Sequence, residues 1–158
     1  MKVPSEIREA LTALMAEYAM AIDEDRLEDW VALFDEACEY KVVTRENLEQ
    51  GLPNILMWCD NRNMLHDRVE SYRHVNLYNL HYDRHVLGPL HFTGNDGSTW
   101  RFDVSYSLFQ TELEGASRLF SVGRYRVDAF VEDGAARLKS VTVVADTGLI
   151  PSLLATPI

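Results

Sequence analysis

Thr99-Trp100-Arg101-Phe102-Asp103-Val104-Ser105-Tyr106-Ser107-Leu108-Phe109-Gln110 is the stretch that decides the fold. Trp100, Phe102, Val104, Tyr106 and Leu108 fall on one parity; Arg101, Asp103, Ser105 and Ser107 fall on the other. Successive side chains of a strand point to opposite faces, so this reads as a strand with one buried and one wet face. Asn95-Asp96-Gly97 supplies a turn before it, and Gly115 separates it from a second strand running from about Arg118 to Val131. Asp133-Gly134 has the chemistry of a hairpin turn, and a last long strand runs from about Arg137 to Asp146. Strand character begins earlier, near Tyr82.

Toward the N-terminus the period changes to that of a helix. From Ser5 to about Ile22, Ile7, Leu11, Leu14, Tyr18, Ala21 and Ile22 share one face, and Glu6, Glu9 and Glu17 lie elsewhere. Ser5 is expected to cap this helix. Asp23-Glu24-Asp25 ends it. Asp25 with Glu28 reads as an aspartate capping box for a second, short helix carrying Leu27, Trp30, Val31 and Phe34. Glu39–Thr44 and Ile55–Trp58 read as a hairpin with a long connection containing Gly51-Leu52-Pro53. Asn63–Arg73 returns to helical spacing through Leu65, Val69 and Tyr72.

Helices first and long antiparallel strands last predict an α+β chain. The strands must bury one face, and the N-terminal helices are what can cover it. The expected architecture is one domain over residues 1–158, a strongly curved and mostly antiparallel sheet wrapped round helices as an open cone.

The chain has 158 residues, 47% of them hydrophobic and 25% charged, which excludes a disordered or low-complexity chain. With 15 basic against 25 acidic residues the net charge is −10, a field that repels nucleic acid and acidic membrane surfaces. No run approaches the roughly 18 apolar residues of a membrane span, and the charged start lacks the apolar centre of an export leader. Cys38 and Cys59 therefore read as buried free thiols of a reducing cytoplasm. Neither has a histidine within two residues on its C-terminal side, so the chain cannot supply the two-cysteine, two-histidine ligand set of a Rieske cluster.

Two groupings could carry chemistry. His81 and His85 bracket Asp83, the donor types of a non-haem iron site, but Asp83 is expected to point away from the two rings, leaving a polar entry into a strand. Separately, Asp23, Asp25, Tyr18 and Tyr40 could converge in the cone with His74 or His91. A set of Asp23, His74 and Tyr40 would suit the acid–base work of a dehydratase or isomerase. Asp25 already has a place as a cap and Tyr18 in the core stripe. No nucleophile elbow and no phosphate-binding loop is present. Phe109 and Phe120 fall on the more polar parity of their strands, and Leu149-Ile150-Pro151-Ser152-Leu153-Leu154 is an apolar tail; Phe109, Phe120, Leu153 and Leu154 are thus candidate contacts with another subunit.

Tyr40-Lys41-Val42-Val43-Thr44-Arg45-Glu46-Asn47, Gly51-Leu52-Pro53, Met64-Leu65-His66-Asp67-Arg68-Val69 and Tyr72-Arg73 together resemble the small (β) subunit of aromatic-ring-hydroxylating Rieske dioxygenases. Leu27, Trp30 and Leu33-Phe34 near the front fit the same pattern, as does the ending Val143-Val144-Ala145-Asp146, so the resemblance covers essentially the whole chain. It implies a cone of the nuclear transport factor 2-like kind and a larger α subunit, commonly three α with three β chains, the β chains also meeting one another. The α subunit would hold the Rieske cluster and mononuclear iron and would insert oxygen into an aromatic ring. Electrons would come from NAD(P)H through a reductase or ferredoxin. It assigns no cofactor and no catalytic residue to the β chain. The Arg-Glu-Asn and Gly-Leu-Pro segments are similar to those of enzymes for carboxylated aromatics such as terephthalate or salicylate.

Overall fold

A computed structural model describes residues 1–75, 80–146 and 156–158. Helix α1 (Ser5–Asp23) comes first and buries Leu11, Leu14, Met15, Tyr18, Ala19, Ala21 and Ile22. Its N-cap is Pro4, not Ser5, with no side-chain capping bond. The preset proline φ stands in for a capping hydroxyl, and Ser5 is already inside the first turn. The short α2 (Leu27–Ala32) buries Leu27, Trp30 and Val31. The expected capping box is absent: Arg26 is the N-cap, and Asp25 sits at φ 57° with its carboxylate turned elsewhere.

Strand β1 (Phe34–Thr44), α3 (Arg45–Glu49), β2 (Met57–Cys59) and α4 (Arg62–Val75) follow. The expected hairpin is there, Tyr40 pairing with Cys59 and Val42 with Met57, and α3 fills its connection. Then come β3 (His81–Leu87), β4 (His91–Asp96), β5 (Thr99–Glu112), β6 (Ser117–Glu132) and β7 (Ala135–Ala145). They form one seven-stranded sheet in the order β2-β1-β7-β6-β5-β3, with β4 also on β5. All pairs are antiparallel except β1 with β7, which run parallel.

The face read from β5 is the face that packs. Phe102, Val104, Tyr106 and Leu108 are buried, and Tyr125, Val127 and Ala129 of β6 with Val141 and Val143 of β7 continue it. The sheet approaches itself closely at Gly123, where a Cβ would run into the Val144 carbonyl oxygen. Rings from α2 and from the strands fill the concave side: Trp30 lies edge-on to Phe34 at 5.0 Å and to Tyr40 at 5.3 Å, and Tyr106 of β5 stacks on Tyr125 of β6 at 4.6 Å. Each such side chain removed from water contributes about 1.5–3 kcal/mol.

One orientation differs from the sequence reading. Between Leu108 and Phe109 the register with β6 shifts: Leu108 faces Ser121, whereas Phe109 faces Leu119. Phe120 is the extra residue of this bulge, and the change of parity turns it into the core, 5% exposed. Phe120 is therefore not an outward aromatic. Phe109 does stand out of the sheet, and its outward neighbour is Leu119. Leu153 and Leu154 lie outside the described residues.

Candidate functional site

The open end of the cone is built where α1 stops against β3. Asp23 is the last residue of α1, and its side chain is 1% exposed. His85 of β3 meets it twice. The His85 backbone N–H donates to Asp23 Oδ2 at 2.9 Å, and His85 Nδ1 stands 2.5 Å from Oδ1. A carboxylate only accepts, so Nδ1 carries the proton shared between the two side chains. The other ring nitrogen, Nε2, is buried and has no hydrogen-bond partner among the described residues. The pair joins a helix end to a strand sixty-two residues later.

The period of two in β3 corrects the expectation for Asp83. His81, Asp83 and His85 alternate with exposed residues, so all three share the inward face. His81 Nε2 lies 3.3 Å from Asp83 Oδ1, not aligned for a hydrogen bond, and 3.2 Å from Gln110 Nε2. Burial pushes the Asp83 carboxyl above its ordinary value, opposed by His81 and His85 beside it. A cavity of about 460 Å³ opens here, with Asp23, Asp83, His81, Tyr72, Tyr82 and Thr156 in its lining.

Below this mouth the cone is filled. Tyr18 and Tyr40 are fully buried, and both hydroxyls donate to the Ile158 main-chain oxygen, at 2.6 and 3.2 Å. The Ile158 N–H donates back to the Tyr40 hydroxyl at 3.0 Å. Pro157 is buried, and Ile158 is 0% exposed within the same cluster as Trp30, Phe34 and Tyr125. Burial raises the pKa of Tyr18, Tyr40 and Tyr125, so all three remain phenols.

Asp23, His74 and Tyr40 do not converge. His74 sits on the outside of α4, three-quarters exposed, with Glu70 at 3.2 Å. Tyr40 is engaged by Ile158, and the histidine that Asp23 finds is His85. The period of the strand at 81–85 was the signal that could have placed His85 on the inward face. Asp25 and Glu28, the expected capping residues, instead grip Arg73 of α4. Its Nη1 lies 2.7 Å from both Asp25 carboxylate oxygens, and Nε and Nη2 lie 3.0 and 2.9 Å from the Glu28 oxygens. Arg73 holds Glu28 down at about 2.

Burial pushes the Cys38 thiol up to about 11 and raises Cys59 as well. Among the described residues no group of three or more His, Cys, Asp or Glu could hold a metal ion. No described helix is long and apolar enough to cross a membrane.

The outer side carries two apolar areas. Phe109, Leu119, Tyr82 and Val86 are exposed together over β3, β5 and β6, Phe109 being paired across to Leu119 and Arg84. Ile55, Leu56 and Trp58 are exposed beside α3 and line a groove of about 710 Å³ with Glu46, Asn47 and Pro53. Thr44 caps α3 by accepting from the Asn47 N–H at 3.2 Å, and Asn47 Nδ2 donates to the Asn54 carbonyl at 3.4 Å. The Arg-Glu-Asn and Gly-Leu-Pro segments thus shape the rim of this groove.

The SnoaL-like domain family matches residues 4–142. The chain is 36% identical over 145 residues to the anthranilate 1,2-dioxygenase small subunit of Burkholderia cepacia, covering 92% of this chain and 90% of that one. This chain belongs to the SnoaL-like family of aromatic dioxygenase small subunits. A terephthalate 1,2-dioxygenase terminal oxygenase β subunit of Comamonas is 30% identical, over 94% of this chain and 96% of that one. A crystal structure from Novosphingobium aromaticivorans, assigned as the β subunit of an aromatic-ring-hydroxylating dioxygenase, superimposes with a TM-score of 0.90 at 39% identity, covering 99% and 100% of the two chains. In this small-subunit chain the SnoaL-like cone is recognisable, and its interior is filled by its own rings and by Ile158.

Proposed function

We propose that this chain is the structural, non-catalytic β subunit of a multicomponent aromatic-ring-hydroxylating dioxygenase, acting as one domain. The Rieske cluster and the mononuclear iron would belong to a larger α subunit, with three α and three β chains in the assembly and contacts between β copies. The observation that carries the reading is identity of 36% across nine-tenths of the chain to a small subunit of this class. Relatives named for anthranilate and terephthalate favour a carboxylated aromatic as the substrate of the assembly.

The test is co-expression with a large Rieske subunit from the same organism. The two are expected to purify together, with ring hydroxylation depending on both. A large subunit that purifies alone and is fully active would overturn the assignment.

The alternative, a stand-alone dehydratase or isomerase, asks for a carboxylate and a histidine within hydrogen-bond reach. Asp23 and His85 meet that condition, but the His85 side chain is fully enclosed and the interior is occupied by Ile158. General acid–base chemistry needs the proton-bearing atom to reach a substrate. The outer patch of Phe109 and Leu119 supports packing against a neighbouring subunit, since apolar side chains left in water on one outer area favour association.

A further inference from the structure

We propose that the floor of the cone is a self-occupied ligand pocket. The groups that receive Ile158 form a site for a small carboxylate or amide with a branched apolar body, and Thr156–Ile158 lie in it as a built-in occupant.

The geometry at the floor is that of recognition. Two hydroxyls from different elements, Tyr18 on α1 and Tyr40 on β1, converge on one oxygen at 2.6 and 3.2 Å. Tyr40 also accepts an N–H from the same residue at 3.0 Å. Three polar contacts on one residue, with the apolar side chain shut away from water, make up the mixture by which pockets fix small ligands. A buried main chain must pair its N–H and its oxygen, and here two side-chain hydroxyls rather than a helix or strand do so. Here buried phenols would lose their partner if Ile158 left, and an unmet buried polar group is costly.

The surroundings extend the site. Trp30 and Phe34 stand edge-on to Tyr40 at 5.3 and 6.2 Å, giving rigid aromatic walls. Tyr125, 5.4 Å from the Tyr18 ring, has a buried hydroxyl with no partner among the described residues. Thr156 lines the 460 Å³ mouth cavity, whereas Pro157 and Ile158 are buried. Withdrawal of this three-residue segment would therefore join the mouth cavity to the floor and give a ligand its route. The occupant is chiral and presents an oxygen, an N–H and a sec-butyl group in a fixed order, so the pocket is expected to prefer the L hand.

The test uses N-acetyl-L-isoleucine with the chain lacking Thr156–Ile158. Deletion lowers Tm, and the probe at about 10 mM restores part of the loss through its binding to the folded state. N-acetyl-D-isoleucine and N-acetylglycine restore much less, and the intact chain does not respond. Adding Tyr40→Phe to the deleted chain weakens the probe by about tenfold or more, since that hydroxyl makes two of the three polar contacts. A folded deletion chain indifferent to the probe, or one stabilised equally by N-acetylglycine, overturns the proposal, as does equal stabilisation of the intact chain. Should the deletion chain not fold, Ile158→Gly in the full chain carries the test. Xenon NMR is expected to show a bound resonance in that variant and none in the parent, since a small apolar cavity stays dry and takes up such atoms. No bound xenon in the variant overturns the proposal as well.

Discussion

The floor and the mouth of the cone are held by different forces. At the floor Trp30, Phe34, Tyr18, Tyr40 and Tyr125 pack ring against ring, and their hydroxyls stay protonated. At the mouth Asp23 holds His85, His81 stands beside Asp83, and Asp25 with Glu28 clamps Arg73. Burial of apolar area does not depend on pH, whereas the Glu28 and Asp83 carboxyls, shifted in opposite directions, make the mouth respond to it. The floor is expected to carry the larger share of folding stability, and the mouth the larger share of its dependence on pH.

The largest expected effect belongs to the floor. Trp30→Ala removes the ring that touches Tyr18, Phe34 and Tyr40 together, and is expected to cost about 3–5 kcal/mol in urea unfolding. A loss under 1 kcal/mol would show that the aromatic cluster does not hold the cone. Second comes Asp23→Ala at the mouth. It leaves the buried His85 backbone N–H and ring Nδ1 without an acceptor, so about 2–3 kcal/mol is expected from the same measurement. Equal losses at the two sites would remove the contrast between them.

The contrast was only partly legible in the residues. Alternation across β5 gave the sheet and its buried face, because that signal is local. The inversion at Phe120 was not local: it depends on β6 presenting two residues to one of β5, and neither strand announces the extra residue alone. Likewise Asp25 and Glu28 have the spacing of a capping box, and what takes them away is an arginine forty-eight residues beyond Asp25. His85 could have been found, since a period of two places it on one face with His81 and Asp83. That Asp23 would be its partner depends on the angle at which α1 meets the sheet. Nothing near Ile158 signals that its main chain would supply the acceptor for Tyr18 and Tyr40, contacts made across one hundred and forty and one hundred and eighteen residues.

The third effect is smaller and separates two carboxylates of the mouth by sign. Glu28 is held down at about 2 from an ordinary 4.5 by Arg73, so its contribution is fully present above about 4.5 and is lost as pH falls toward 2. Exposure of this pair screens it, and Arg73→Met is expected to cost only about 1 kcal/mol at neutral pH. Asp83 runs the other way. Its carboxyl is raised by burial, so it favours the folded state when protonated and weighs against it once ionised. Asp83→Asn is therefore expected to raise Tm at neutral pH, with the gain shrinking as pH falls through the ordinary aspartate range. Melting curves of both variants between pH 2 and 7 would show opposite slopes relative to the parent; parallel slopes would mean that burial and pairing do not act separately there.

The smallest effect on folding should accompany the largest effect on assembly. Phe109 and Leu119 project from the bulge to the outside, away from both floor and mouth. Phe109→Ser is expected to change stability of the isolated chain by no more than about 0.5 kcal/mol, as substitutions outside the core do. Sedimentation of the complex with the large subunit should nevertheless shift toward free chains, because an apolar side chain in a subunit contact loses its partner when it becomes polar. Deleting the tail from Leu153 to Ile158 is a poorer probe of the same contact, since it also removes Ile158 from the floor. An unchanged sedimentation profile for Phe109→Ser, with Leu119→Ser equally silent, would move the subunit contact off this patch and leave the groove beside α3 as the remaining exposed apolar area described above.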